Sequence, residues 1–354
     1  MRRWLLPALL MLLALISLLT LKSVVPKLAT QQTFFFVIGF SIFFTMATQI
    51  RFEELQRWAW PLYITLNLLL IISYVYGLIS GRTGRWIPIL GDYNLQPSQL
   101  AIPITILMLT KIKGSVDKTT NLIKQLIFIF VPALLILIEP DLGTTLIYLF
   151  STGTIIFLSD VSWKKLLILV SLALTTAVMA WFLVLKPYQK QRITSFINTD
   201  QDTQNAGYNA QQALIAAGSG QLWGRGLGQG IQSHLRFLPE RQTDFIFASL
   251  AEEFGFMGSI SVILIYVATI GFIIKTGLQT SSKEASYFCF SIATMTALHV
   301  GVNIGMNIGL LPITGLTLPL LSYGGSSLVS IMIMFGIVQN IALHTKPQKT
   351  LHLS

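Results

Sequence analysis

The chain has 354 residues, 53% of them hydrophobic and 11% charged, with 24 Lys and Arg against 14 Asp and Glu. A soluble domain carries about 25% charged residues, so this composition and a mean hydropathy of +0.69 exclude a water-soluble globular enzyme. The net charge of +10 is not a nucleic-acid signal but basic loops set against anionic lipid.

Apolar runs near 20 residues indicate an all-α polytopic membrane protein, a single domain over residues 1–354. The short alternating segments of a transmembrane barrel are absent from the sequence. In chain order the pattern predicts ten spans, at about 4–22, 33–50, 58–80, 97–112, 122–139, 143–159, 164–185, 243–274, 285–310 and 317–344. The first follows Arg2 and Arg3. It is too long and Leu-rich for a signal peptide, and no clean small-residue cleavage site follows, so it is read as a retained helix.

Lys and Arg set the orientation. With both termini cytoplasmic, the inner segments hold Arg51, Arg57, Lys111, Lys113, Lys164, Lys165, Lys275 and Lys346, whereas the short outer loops hold only Lys22, Lys27, Arg82 and Arg85. The one long non-membrane stretch, 186–242, then lies outside. It carries Lys186, Lys190, Arg192, Arg225, Arg236 and Arg241, a short amphipathic helix over 208–217, and a glycine-rich piece over 218–230. A loop of this length with its own helix is usually functional.

Three acidic or broken segments stand out. Residues 237–252, FLPERQTDFIFASLAE, return from that loop into an apolar helix and bring Asp244 with them; a carboxylate there marks a functional site. Thr243 is read as a helix cap and Asp244 as a first-turn acid facing the helix dipole, with Ala248 and Ala251 leaving open space beneath it. Glu252 and Glu253 lie deeper on the same helix, either as buried structural groups or lining a polar cavity. The turn 139–144, EPDLGT, breaks a span pair and lets Asp141 cap the next helix. The stretch 311–327 holds two prolines and three Gly, which means broken helix covered by protein or lining a water-filled cavity. His299, Asn303 and Asn307 make a polar stripe on the preceding span, read as inter-helix hydrogen bonding.

No metal-ligand spacing appears, and the glycines of 224–230 follow no strand, so neither a zinc site nor a dinucleotide loop is indicated. Basic residues above a membrane suit phosphate, and an acid beside them suits a general base. These residues fit group transfer from a lipid-linked phosphate donor, and equally an anion transporter.

The segment 237–253 resembles the signature of the SEDS family (shape, elongation, division and sporulation proteins). Further blocks stand in the family's order: 96–98 QPS, 139–144 EPDLGT, 207–209 GYN, 218–220 GSG and 319–326 PLLSYGGS. The wording around 207–241 is closer to RodA-like members than to FtsW-like ones. The resemblance implies a peptidoglycan glycosyltransferase that polymerises lipid II and works with a class B penicillin-binding protein. It implies Asp244 as the essential acid and Arg192 as the Arg of the outer loop. Lys186, Arg241, Glu240, Asp141, Ser322 and Gly324 are expected on the substrate-binding face, with a divalent cation, Mg or Mn, as an optional helper and no protein-held metal site. A lipid II flippase and a non-enzymatic scaffold are the competing readings. One departure matters: the family's Glu and Lys after QPS are replaced here by Gln99 and Ile102, so both charges are lost together.

Overall fold

The computed structural model describes residues 4–81, 84–90, 93–112, 118–159, 161–183, 185–197, 206–235 and 237–345. Arg2, Arg3, Arg82, Lys113, Arg236 and Lys346, all weighed above, lie outside them.

The ten expected spans are all helices: α1 (Leu5–Val24), α2 (Pro26–Thr48), α4 (Ala59–Ser80), α5 (Ser98–Ile112), α6 (Lys118–Ile138), α7 (Leu142–Phe157), α8 (Trp163–Leu183), α12 (Ile246–Gln279), α13 (Lys283–Asn307) and α14 (Gly325–His344). Seven of the described helices are long and apolar enough to cross a membrane, and α5 and α7 are shorter apolar helices. Between these spans lie α3 (Phe52–Arg57), α9 (Pro187–Ile197), α10 (Ala206–Ser219) and the single turn α11 (Ile231–His234). An antiparallel ribbon, β1 (Ile87–Leu90) with β2 (Tyr93–Leu95), was not expected from the sequence.

Helix α2 packs against α14, α13 against both α12 and α7, and α4 against α5. A single large cluster of buried apolar side chains runs through these helices, and Cys289 is buried within it. A satellite cluster, Ala213, Ala216, Leu238, Phe245 and Ala248, with Ile313 against it, docks α10 onto the start of α12. Ala248 is therefore covered, and the open space expected beneath Asp244 is filled.

Three boundaries move. Helix α2 begins at Pro26, which brings Gln31 and Gln32 into the apolar span; Gln32 is buried. Helix α14 begins at Gly325 rather than 317, leaving 308–324 as irregular chain. The third concerns α12, which is two helices in line, joined at Gly255 with φ 67 and ψ −164.

That join is a splice. A helix break strands backbone groups on both sides. The glycine-rich loop supplies their partners. Arg225 N donates to the Glu252 carbonyl (2.9 Å) and Gly226 N to that of Glu253 (3.1 Å), while Phe256 N and Met257 N donate to the carbonyls of Gln221 (2.8 Å) and Leu222 (3.1 Å). The side chains of Glu252 and Glu253 bind the same loop. Glu252 accepts from Gln232 N (2.8 Å), Ser233 N (3.0 Å) and the Ser233 hydroxyl; Glu253 accepts from Gly228 N (3.2 Å), from Ser23 of α1, and lies 3.2 Å from His234 Nε2. Both acids are buried, and of the two readings the sequence left open they satisfy the structural one.

A Cβ at Gly255 would lie 2.2 Å from Gly224 N and 2.7 Å from Leu222 O, on a backbone that side chains rarely adopt. Gly255→Ala should therefore separate loop from helix and cost about 1–3 kcal/mol or more. The readout is a lower midpoint in thermal unfolding of the detergent-solubilised protein; an unchanged midpoint would show that the splice contributes nothing.

Candidate active site

The loop that carries Asp244 is held by its main chain. Glu240, at φ 47, starts a turn whose carbonyl accepts from Thr243 N (3.1 Å) and Phe245 N (3.2 Å). The next four carbonyls each take a donor from elsewhere. Ser249 Oγ donates to Arg241 O (3.4 Å), Tyr323 N to Gln242 O (2.9 Å), and Ser322 Oγ to Thr243 O (2.6 Å). Asn303 and Asn307 both donate to Asp244 O (3.0 Å each). Helix α12 begins two residues later, with Phe245 at its cap position and no capping side chain of its own. Asn307 Oδ1 of α13 accepts from Ala248 N (3.0 Å) instead. Thr243 is thus not the helix cap: its hydroxyl donates to the Glu240 carboxylate (3.0 Å). Asp244 precedes the first turn rather than lying in it.

With the backbone fixed, the Asp244 carboxyl remains half-buried beside Gly315. Gly315 has φ 75, and a Cβ there would sit 3.4 Å from Asp244 Oδ2 and 3.7 Å from Arg192 Nη1. The missing side chain lets acid and guanidinium approach the same spot. Burial, then the Glu240 carboxylate, push the Asp244 pKa up to about 6, against the pull of Arg192 and a hydrogen bond from Thr243; Asp141 adds a smaller upward push.

Arg192 is exposed on α9 and donates to the Thr314 carbonyl (3.2 Å). Gln189 of the same helix donates to Pro140 O (3.4 Å), so α9 bridges the 139–144 turn and the 311–324 chain. Asp141 caps α7 as expected, accepting from Thr144 N (3.3 Å), and also accepts from Gln96 (3.2 Å) with Arg85 at 3.9 Å.

The remaining expected residues divide. Glu240 lies beside Asp244 and is exposed. Lys186 is exposed at the start of α9, and Arg241 is half-buried; neither is among the charges that bear on the Asp244 pKa. Ser322 is buried, its hydroxyl held between Thr243 O and Leu318 N (2.8 Å), so it positions the loop instead of facing a ligand. Gly324 N donates to Gln32 Oε1 (3.3 Å) at the start of α14. Gln99 hydrogen-bonds Gln96 (3.4 Å), which in turn donates to Asp141, and Ile102 joins the apolar core. The lost charge pair is therefore replaced by a neutral amide relay and a packed hydrophobe.

Sequence reasoning missed Gln32, Gly315 and Gln189. Gln32 donates to Ser322 O (3.3 Å), and the Gln31-Gln32 pair inside an apolar run was a signal once the span is started at Pro26.

Glu139 is buried against Ser73 of α4. Burial pushes its pKa up to about 8, reinforced by Asp141 and opposed by the Ser73 hydrogen bond and Arg85. The folded protein thus holds a proton that the unfolded chain releases above 4.5, and this group's contribution to stability falls as pH rises from 4.5 to 8. Glu139→Gln should raise the unfolding midpoint relative to the parent at pH 8 and leave it level near pH 4.5; parallel midpoint-against-pH curves for the two proteins would contradict this.

The family model described as cell cycle protein, FTSW_RODA_SPOVE, matches residues 2–347. Escherichia coli K12 peptidoglycan glycosyltransferase MrdB is 37% identical over 316 residues, spanning 87% of this chain and 84% of the relative. The probable peptidoglycan glycosyltransferase FtsW of Wigglesworthia glossinidia brevipalpis is 35% identical over 320 residues, spanning 88% and 82%. Among solved structures, a chain from work on the coordination of polymerization and crosslinking by a peptidoglycan synthase complex superposes with a TM-score of 0.80 at 28% identity, over 96% of this chain and 97% of that one. The crystal structure of the rod shape determining protein RodA from Thermus thermophilus gives 0.71 at 27% identity, over 97% of each.

Proposed function

Because the chain belongs to the FTSW_RODA_SPOVE family of cell cycle proteins, we propose that it is a peptidoglycan glycosyltransferase. It polymerises lipid II into β-1,4 glycan strands at the outer face of the bacterial cytoplasmic membrane and so supports cell-wall elongation and cell shape. The observation that carries this reading is the Asp244 carboxyl: its backbone is fixed on all sides, while the side chain stays partly open beside Arg192.

The donor sugar is linked α to a diphosphate and the product is β, so the displacement inverts. Asp244 takes the proton from the acceptor's 4-hydroxyl as the oxygen attacks the donor's anomeric carbon. The bond to the diphosphate breaks, and the leaving group departs with the electron pair. A diphosphate needs no second carboxylic acid to protonate it, unlike the alkoxide leaving group of a glycosidase. Arg192 stabilises that developing charge, and Lys186 at the start of the same helix adds positive potential. Asp244 then loses its proton to solvent. Among the described residues no three His, Cys, Asp or Glu side chains gather as a metal site. A Mg or Mn that shared the diphosphate's charge with the cationic side chains would be held chiefly by the diphosphate itself, with one or two carboxylates and water.

Ten spans put both termini on one side, and the Lys and Arg bias makes that side cytoplasmic. The likeness to a chain of a peptidoglycan synthase complex supports a class B penicillin-binding protein as partner. The flippase reading drew on Glu252 and Glu253 as charges along a passage, but Glu252 and one oxygen of Glu253 are hydrogen-bonded to the splice loop.

The test is purified protein with labelled lipid II, with and without its partner, the products resolved on a gel. Asp244→Ala should remove the glycan ladder, a loss of about 10²-fold or more, while the protein keeps its unfolding midpoint. Arg192→Ala should lower kcat/KM by about tenfold or more, from the loss of a charge-assisted contact. A ladder that survives Asp244→Ala removes Asp244 from the reaction.

The pH profile follows from the same group. A base must be ionised to act, and this one titrates at about 6. The rate should fall tenfold per unit below that value and level off above it; a profile without that limb removes Asp244 as the base.

A further inference from the structure

The splice loop carries the most exposed tryptophan among the described residues. Trp223 is 79% exposed, and its neighbours Leu222 and Leu227 and the adjoining Phe256 and Met257 of α12 are also exposed. This patch stands on rigid backbone, because the residues on both sides of Trp223 are hydrogen-bonded to the break in α12.

Those bonds fix the loop's height. Gln221 and Leu222 accept from Phe256 and Met257, the first residues of the long apolar part of α12, so the loop lies level with that end of the span. The other end is set by Lys275, exposed and the one charged residue between 256 and 279, whose ammonium belongs at the opposite interface. From Phe256 to Lys275 a helix rises about 29 Å, which matches a hydrocarbon core about 30 Å thick. Phe256, and with it Trp223, therefore falls at the hydrocarbon boundary.

We propose that the splice loop is a membrane-interface anchor: Trp223, with Leu222 and Leu227, inserts into the headgroup–acyl boundary of the leaflet on the α9–α11 side, and Arg225 faces the lipid phosphates. Indole suits this depth because its ring is apolar and its N–H seeks a polar partner. Arg225 is exposed beside it, with its Nε on Ser219 Oγ (3.0 Å), and an arginine near the headgroups adds attraction for anionic lipid. Trp4, Trp58 and Trp163 are exposed at the ends of α1, α4 and α8 on the opposite side, so both boundaries carry exposed indoles. The anchor sets the depth of the half-helix 246–254, and hence of the residues at its start. The inference rests on the fold and holds whether or not the proposed reaction is correct.

The test places a nitroxide at Trp223→Cys in proteoliposomes of phosphatidylethanolamine and phosphatidylglycerol, with Cys289 left in place because it is buried. Collisional accessibility is measured with oxygen, which enters lipid, and with a nickel chelate, which stays in water. The oxygen-to-nickel ratio should be several-fold above that of the same label free in buffer. A ratio equal to the buffer value would overturn the anchor, and so would low accessibility to both reagents, which would mean that protein covers the patch. Leu227→Cys, 52% exposed on the same loop, is a second reporter with the same expected result if the first variant does not fold.

Discussion

Everything near the reactive end of this protein depends on hydrogen bonds to four consecutive peptide carbonyls, 241 to 244. Their donors come from three separate places: α12 itself, the irregular chain before α14, and the end of α13. Each such bond is worth about 1 kcal/mol net, but a buried carbonyl left without one costs about 1–3 kcal/mol. The loop has little choice of path, and the position of the Asp244 carboxyl follows from its main chain. The side chain is then free for chemistry, because the loop's path is fixed without it.

The second constraint is the broken helix. Irregular backbone at membrane depth survives only where other protein supplies its partners, and here an outer loop does so for α12 while α2 does so for the chain before α14. Both arrangements use buried polar side chains that look out of place in an apolar sequence. Glu252 and Gln32 are costly alone and satisfied together with the segments they hold, and Glu253 is held there through one of its two oxygens.

The ten helices were legible in the apolar runs, and seven of the described helices are long and apolar enough to cross a membrane; Asp141 was legible because a turn with Pro and Gly leaves a helix start in need of a cap. Asn303 and Asn307 were read correctly as inter-helix donors; their target, a single carbonyl, was not visible. Asp244 was found as an acid at a helix mouth, but its first-turn position was wrong by two residues, because Asn307 provides from another helix the cap that Thr243 was expected to provide. Ser322 was read as facing substrate because its role depends on a partner seventy-nine residues away. The break at Gly255 was not read, although Glu252 and Glu253 stand just before it, because the apolar pattern resumes on the far side and the partners of the broken backbone come from the distant glycine-rich loop.

Between Gly255 and Asp244 runs a straight rod of about 13 Å, gripped at one end by the splice and at the other by the carbonyl clamp. Its sides are packed as well, with Ile246, Phe247, Ala248 and Leu250 all buried, so it moves as one body with its neighbours. A molecule that displaces the outer loop therefore shifts the carboxylate without touching it.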